Sequence, residues 1–96
     1  MTVYVDDGFV DGDWGFWTGG GHMQADTLEE LHAMADQLGL RRSWFQSKPG
    51  RPWHDHYDLT RSKRDRALRL GAMPVSWREA AKRNRRMRQS HKVPEA

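Results

Sequence analysis

The sequence predicts a small single α/β domain with a short, mainly parallel sheet of about four strands and about three helices. Short stretches rich in β-branched and aromatic residues alternate with longer stretches that have the periodicity of amphipathic helices. Two capping boxes, Thr27 with Glu30 and Ser76 with Glu79, mark helix starts. Strands that alternate with helices usually pair in parallel, which predicts the direction of the sheet.

Each predicted element has a local signature. The strands are TVYVDD at 2–7, HMQAD at 22–26, RSWFQ at 42–46 and MPVSW at 73–77. The helices are 27–39, 59–71 and a third from Ser76 through about Met87. Residues 8–21 are rich in Gly and Trp and predict a loop or loose hairpin, and residues 47–56 predict a loop.

Composition narrows the class of protein. The 96 residues suffice for one domain, and 36% hydrophobic with 30% charged residues is typical of a polar, thin-cored fold. Without cysteine there are no disulfides and no thiolate metal sites. No apolar run is long enough to span a bilayer, and the N-terminus lacks the features of a signal peptide. We therefore expect a cytoplasmic protein without a membrane partner.

The predicted organisation is an α/β domain at 1–80 and a basic helical extension with a frayed tail at 81–96, and charge is distributed unevenly along the chain. Residues 1–59 carry four basic and ten acidic groups, whereas residues 60–96 carry twelve basic and three acidic groups. This asymmetry predicts an anionic partner for the basic end. The alternative is that the two ends neutralise each other within the fold.

Polar residues stand at the carboxyl ends of the predicted strands, where open α/β sheets bind ligands. The predicted metal ligands are Asp6, Asp26 and His56, and the predicted catalytic residues are His56, Asp58 and Lys63. Further ligand-binding residues are Gln46, Tyr57, Arg64 and Ser76. Oxygen-rich ligand sets suit Mg²⁺ or Mn²⁺, and an added imidazole leaves Zn²⁺ open, so the expected cofactor is a divalent metal.

Each of these residues also has a structural interpretation. Lys63 falls in the apolar stripe of the second helix, where it either makes a buried salt bridge or binds a phosphate together with Arg64. Asp58 either caps that helix or, if Thr60 is the cap, is free for chemistry. His56 is either a functional imidazole or a solvated loop residue. His22 lies roughly 13 Å below the predicted rim and is expected to be structural.

The segments GHMQADTLEELHAMADQLGLRRSWFQ and HYDLTRSKRDRALRLGAMPVSWRE, with the opening VYVD, resemble the domain of unknown function 4031 family of small bacterial and phage proteins. The resemblance covers roughly residues 1–80. It implies no activity. It implies that the motif positions are Asp6, His22, Asp26, His32, Gln46, His56, Tyr57, Asp58, Lys63 and Arg64. His54, the loop 8–21 and the tail after about Glu79 fall outside these motifs.

Two functions are compatible with the sequence, and whether the protein is an enzyme stays open. One is a site for a phosphate-containing small molecule, nucleotide or nucleic acid, with a metal-dependent hydrolase as its catalytic form. The other is a non-catalytic module that docks on nucleic acid or an acidic host protein through the basic C-terminal helix.

Overall fold

A computed structural model describes residues 2–90, and its centre is a four-stranded mixed sheet. The strands are β1 (Val3–Val5), β2 (Gly21–Ala25), β3 (Tyr57–Leu59) and β4 (Met73–Pro74), in the spatial order β3-β2-β1-β4. β2 runs antiparallel to both β1 and β3, and only β1 and β4 pair in parallel. The α/β class is confirmed, but the mainly parallel sheet is not, because the Gly-rich loop between β1 and β2 returns the chain as a hairpin.

Three helices begin close to the predicted residues. They are α1 (Leu28–Gln37), α2 (Arg61–Arg69) and α3 (Trp77–Ser90). The side-chain oxygens of Thr27, Thr60 and Ser76 accept bonds from the backbone three residues on, which satisfies amides that a helix start leaves free. The boundary predicted at residues 80–81 falls inside α3. Of the predicted frayed tail, residues 91–96 lie outside the described part of the chain.

The third strand is not where the sequence predicts it. Residues 42–44 form one turn of 3₁₀ helix, and the strand β3 follows the loop at 47–56. Gln46 still touches the sheet, since its backbone exchanges two 3.0 Å hydrogen bonds with His56. β3 has only three residues and is followed at once by a helix, so its alternation of apolar and polar residues is too short to be recognised in the sequence.

The two faces of the sheet differ in character. On one face Val5, Met23 and Tyr57 occupy one row and are almost fully buried, next to Leu59. They join one apolar cluster with residues of the helices and connections: Leu31, Met34, Ala35, Leu38, Leu40, Ala67 and Ala72. This face, covered by α1 and α2, is the core of the domain.

The opposite face of the sheet is polar. Tyr4 pairs with Gln24, and His22 pairs with Asp58, so strand alternation turns these four side chains away from the core. α3 covers the Gln24 end, where Gln24 Nε2 donates to Asn84 Oδ1 at 2.9 Å. The His22 end lies beside the 8–20 loop, and a site forms there.

Candidate metal centre

Asp6 and His22 meet because β1 and β2 are antiparallel, which places the end of β1 beside the start of β2. Asp6 Oδ1 accepts hydrogen bonds from the backbone amides of Gly8 and His22, both at 2.9 Å. Asp6 Oδ2 lies 3.0 Å from His22 Nδ1. Burial raises the pKa of Asp6, but the bonds from His22 and Gly8 outweigh it, so the net direction is downward. Asp6 is therefore held as a carboxylate that orients the His22 ring.

This pairing requires a glycine and an arginine around the Asp6 backbone. A Cβ on Gly21 would lie 2.1 Å from the Asp6 carbonyl oxygen, so only glycine lets the two backbones approach this closely. Arg64 Nε donates to the same carbonyl oxygen at 2.9 Å. Arg64, which the sequence predicts as a ligand-binding residue, thus fixes the end of β1 against α2.

β3 and the bridge before it supply the second half of the site. His56 Nδ1 contacts the His54 carbonyl oxygen, and Asp58 Oδ2 accepts a 2.8 Å bond from Gln46 Nε2. Asp58 does not cap α2, because Thr60 has that role. Asp58 therefore keeps its second carboxylate oxygen for other contacts.

Three potential ligand atoms converge between the strands: His22 Nε2, His56 Nε2 and Asp58 Oδ1. All lie within 4.8 Å of one another, with Asp58 Oδ1 3.7 Å from His22 Nε2 and 3.4 Å from His56 Nε2. Asp58 Oδ1 is buried and accepts no well-aligned hydrogen bond from the residues that the structure describes. We call these three residues the His22–His56–Asp58 cluster.

The electrostatics of the cluster favour a cation. The His56 imidazole lowers the pKa of Asp58, burial raises it, Gln46 lowers it further, and the net direction is downward. Burial lowers the pKa of His56, but the Asp58 carboxylate and the His54 carbonyl oxygen raise it above its ordinary value. Both shifts have the same origin, the contact between the His56 ring and the Asp58 carboxylate, which favours a positive charge next to Asp58, carried either by a protonated His56 or by a bound cation.

Asp58 also lines a cavity of about 660 Å³ beside the edge strand β3. The other lining residues are Phe16, Trp17, Leu40, Ser43, Trp44, Gln46, Thr60, Ser62 and Lys63. The volume lies within the range of small-molecule sites, which is roughly 300–1,000 Å³. Through Asp58 the cluster thus adjoins a space large enough for a substrate.

Comparison with protein-family models matches residues 3–87 to the family described as a protein of unknown function, DUF4031. The match spans most of the chain and contains the whole cluster. The chain belongs to the DUF4031 family. No curated protein matches the chain, and no solved structure matches it either.

The fold of this DUF4031 protein brings together only part of the predicted site. Asp6, His56, Asp58 and Gln46 lie in or beside the cluster. Asp26 does not, because it follows the other end of β2, where it accepts bonds from the Thr2 amide and the Tyr4 hydroxyl. The prediction that Asp26 shares a rim with Asp6 assumed parallel strands, and antiparallel pairing separates the two.

Three further predicted residues have structural contacts. Tyr57 is buried on the core face, and its hydroxyl bonds to His32 Nδ1 at 2.8 Å. Ser76 caps α3 in a reciprocal box with Glu79. Lys63 Nζ donates to the Leu38 carbonyl oxygen at 2.7 Å, at the end of α1. Within residues 2–90 Lys63 forms no ion pair with Asp6 or Asp58, although it does line the cavity.

His22 is the residue of this DUF4031 protein that sequence reasoning misplaced. The sequence contains a signal for its position, because the Gly-rich segment 8–21 predicts a loop or a loose hairpin, and a hairpin makes its strands antiparallel. A hairpin places His22 beside Asp6 at one end of the sheet.

Among residues 2–90, no helix combines the length and apolar character needed to cross a membrane.

Proposed function

We propose that the His22–His56–Asp58 cluster binds a divalent transition metal and that the protein is a metal-dependent hydrolase. The observation that carries the proposal is the convergence of two imidazole nitrogens on a buried carboxylate oxygen that receives no well-aligned hydrogen bond from the described residues. Such an arrangement is unfavourable by itself, since it desolvates acceptors without pairing them. A cation at their centre removes this cost.

The hydrogen bonds behind the two imidazoles support the same assignment. Asp6 accepts from Nδ1 of His22, and the His54 carbonyl oxygen accepts from Nδ1 of His56. Each acceptor requires the proton on Nδ1, so that whenever the ring carries a single proton the Nε2 lone pair is directed at Asp58 Oδ1. Metal-binding histidines in proteins are held by this kind of outer contact.

The spacing of the ligand atoms fits a metal better than a proton. With metal–ligand distances of about 2.0–2.1 Å, neighbouring ligands of a tetrahedral site are separated by about 3.4 Å. The two distances to Asp58 Oδ1 are 3.4 and 3.7 Å. A charge-assisted hydrogen bond would be shorter, at about 2.7–2.9 Å.

The ligand set favours Zn²⁺ over the Mg²⁺ that the sequence also allowed. Two imidazoles and one carboxylate suit transition metals, whereas Mg²⁺ prefers oxygen ligands. Three protein ligands leave a fourth position open, as in catalytic zinc sites. A metal bound there would lower the pKa of its water to about 7 and polarise a substrate oxygen. The chain itself contributes Asp6, which holds His22 in place, and the cavity next to Asp58, which admits the substrate.

Metal titration tests the proposal. Isothermal titration calorimetry of the chelator-treated protein with Zn²⁺ and Mn²⁺ is expected to show about one site per chain, with weaker or no heat from Mg²⁺. His22→Ala and His56→Ala should each lower the affinity by more than the roughly 10- to 100-fold that loss of an outer contact costs. His54→Ala is the matched control, because only its backbone carbonyl contacts the site. The proposal is wrong if the wild type binds none of these ions, or if His54→Ala loses as much affinity as His56→Ala.

The hydrolytic part of the proposal has its own test. Zn²⁺-dependent hydrolysis of 4-nitrophenyl phosphate should be lost with chelator, in His22→Ala and in His56→Ala, and retained in His54→Ala. Metal binding without turnover of this ester or its diester would reduce the proposal to a metal-binding protein.

A second function, docking on a nucleic-acid backbone, is favoured by one observation on α3. Its basic side chains Arg78, Lys82, Arg85, Arg86 and Arg88 are exposed, and none forms an ion pair among the described residues. The double variant Arg85→Gln, Arg86→Gln should weaken binding to a DNA duplex. It should also reduce the slope of log K against log salt concentration by the amount that corresponds to about two phosphate contacts. Binding that does not change with salt would refute this function.

A further inference from the structure

The cavity beside β3 is lined by both polar and aromatic side chains. One of the polar residues is Asp58, whose Oδ2 is held by Gln46 and whose Oδ1 belongs to the metal cluster. Phe16 and Trp17 reach the cavity from the loop after β1, and Trp44 reaches it from the 3₁₀ turn after α1. A ligand in this space would therefore contact aromatic rings and lie next to Asp58, the member of the cluster that lines the cavity.

The aromatic walls are unusually exposed for side chains of their size. Phe16 is 80% exposed, Trp44 is 52% exposed and Trp17 is 36% exposed. Leaving such rings in water forgoes the stabilisation that burial of large apolar side chains provides. Trp and Phe rings that line a concave site are typical of surfaces on which a planar ring stacks.

The cavity also offers groups that bind an anion. The Lys63 ammonium has three donors, and one of them is used by the Leu38 carbonyl oxygen. The hydroxyls of Ser43, Thr60 and Ser62 line the same space. Among the described residues that line the cavity, Lys63 is the only cation and Asp58 the only carboxylate, so a complementary ligand places one compact anionic group at Lys63.

We propose that the cavity binds a small molecule with a planar aromatic ring and a phosphate or similar anionic group, of the size of a nucleoside monophosphate. The ring stacks on Trp44 and Trp17, and the anion contacts Lys63. This inference names the substrate class of the proposed hydrolase and in that sense rests on it. The binding site, however, is built from residues outside the metal cluster, with Asp58 alone shared between the two.

Calorimetry with adenosine 5′-monophosphate, adenosine and ribose 5-phosphate tests the proposal, and each ligand is titrated both with chelator and with Zn²⁺. The monophosphate should bind more tightly than adenosine, which lacks the anion, and than ribose 5-phosphate, which lacks the ring. Trp44→Ala should weaken it roughly tenfold, the loss expected when one stacked ring loses its partner. Trp77→Ala is the matched control, because Trp77 is 54% exposed but lies on α3, away from the cavity.

A charge series completes the test. Lys63→Met should weaken the monophosphate and leave adenosine unchanged, and Lys63→Arg should restore most of the affinity. The inference is overturned if the monophosphate does not bind the wild type in either metal state, or if Trp77→Ala loses as much affinity as Trp44→Ala. Neither result affects the metal titration, which is measured without nucleotide. If the monophosphate binds in the presence of chelator and the separate titration shows no metal binding, the proposed ligand site in the cavity is supported and the proposed metal-dependent hydrolase is refuted.

Discussion

Asp6→Asn separates the geometry of the proposed metal site from its charge. Asn keeps the shape of the side chain, and its Oδ1 can still accept from the Gly8 and His22 amides. The other position becomes an amide NH₂ that faces His22 Nδ1, where the carboxylate oxygen lay at 3.0 Å. Two donors cannot face each other, so His22 should move its proton to Nε2 and lose the lone pair that points at Asp58.

The magnitude follows from the number of contacts that change. Loss of an outer contact to a metal-binding histidine lowers affinity by about 10- to 100-fold, which is about 1.4–2.7 kcal/mol. Without metal only one hydrogen bond is altered, so the free energy of unfolding should fall by about 1–3 kcal/mol. Metal affinity and metal-free stability are thus expected to change for different reasons and in separate experiments.

The assay is Zn²⁺ calorimetry on the metal-free protein, with ¹⁵N chemical shifts of His22 to identify the tautomer. Asp7→Asn is the matched control, because it removes the same charge one residue away while its oxygen can still accept the 2.7 Å bond from the Trp77 amide. We expect Asp7→Asn to bind Zn²⁺ within about twofold of the wild type. Equal losses in both variants would mean that net charge, not the orientation of His22, sets the affinity, and the reasoning would be refuted.

Three other predictions concern the scaffold. Gly21→Ala places a methyl group 2.1 Å from the Asp6 carbonyl oxygen, so chemical denaturation should show a loss of at least about 1–3 kcal/mol. Lys63→Met removes a 2.7 Å bond to the end of α1 and should cost about 1 kcal/mol in the same assay, whereas an unchanged midpoint would contradict that contact. For His32, burial and a nearby guanidinium lower the pKa, so the unfolded state binds its proton first and stability should fall as the pH drops below about 6.5. His32→Gln, which can still accept from Tyr57, should show a smaller loss between pH 7 and pH 5 in thermal melts, and an equal loss would count against the assignment.

Helix starts were predictable because their causes are local. Thr27 and Ser76 each cap a helix through residues three positions away, and that information lies within four letters of sequence. The direction of strand pairing has a weaker local signal, since only the Gly-rich loop between β1 and β2 indicates it. The pairing with β3 depends on which apolar rows meet, and in the structure Val5, Met23 and Tyr57 form one row across three antiparallel strands.

The difference between local signals and long-range pairing also explains which residues of the candidate site the sequence predicts. Asp58 and His56 are close in sequence, so their proximity needs no knowledge of the sheet. Asp6 lies near them only because β2 pairs with both β1 and β3. Since β1 and β2 are antiparallel, the residue of β2 beside Asp6 is His22 and not Asp26. Residue chemistry therefore predicts the kind of site that we propose, whereas strand direction decides which histidine belongs to it.

The apolar stripe predicted for the second helix is only partly observed, and its lysine has a partner that the sequence does not indicate. Lys63 is half-buried, four residues before the buried Ala67, whereas Leu70 at the end of the same stripe is 43% exposed. Lys63 satisfies its charge with the Leu38 carbonyl oxygen, at the negative end of the α1 dipole, and not with a carboxylate. A backbone carbonyl brought close by tertiary packing leaves no trace in the sequence.

The stability of the metal-free protein distinguishes a metal-binding site on the polar face of the sheet from a structural ion pair. If the cluster is a structural ion pair, Asp58 stabilises the metal-free fold through protonated His56, and removing its charge destabilises the protein. If the cluster is built for a metal, the metal-free site holds a carboxylate oxygen against two neutral imidazole nitrogens, and removing that charge relieves the fold.

Asp58→Asn decides between these two cases. Its carbonyl oxygen can keep the 2.8 Å bond from Gln46, while its amide can donate to His56 Nε2 where Asp58 Oδ1 lacked a donor. At pH 8.5, with chelator, the gain of one hydrogen bond should raise the free energy of unfolding by about 0.5–1.5 kcal/mol. Zn²⁺ should stabilise the wild type against urea but not the variant. A metal-free variant that is less stable than the wild type would show that the cluster exists to hold the sheet together, because only a favourable pairing can be lost by removing the charge.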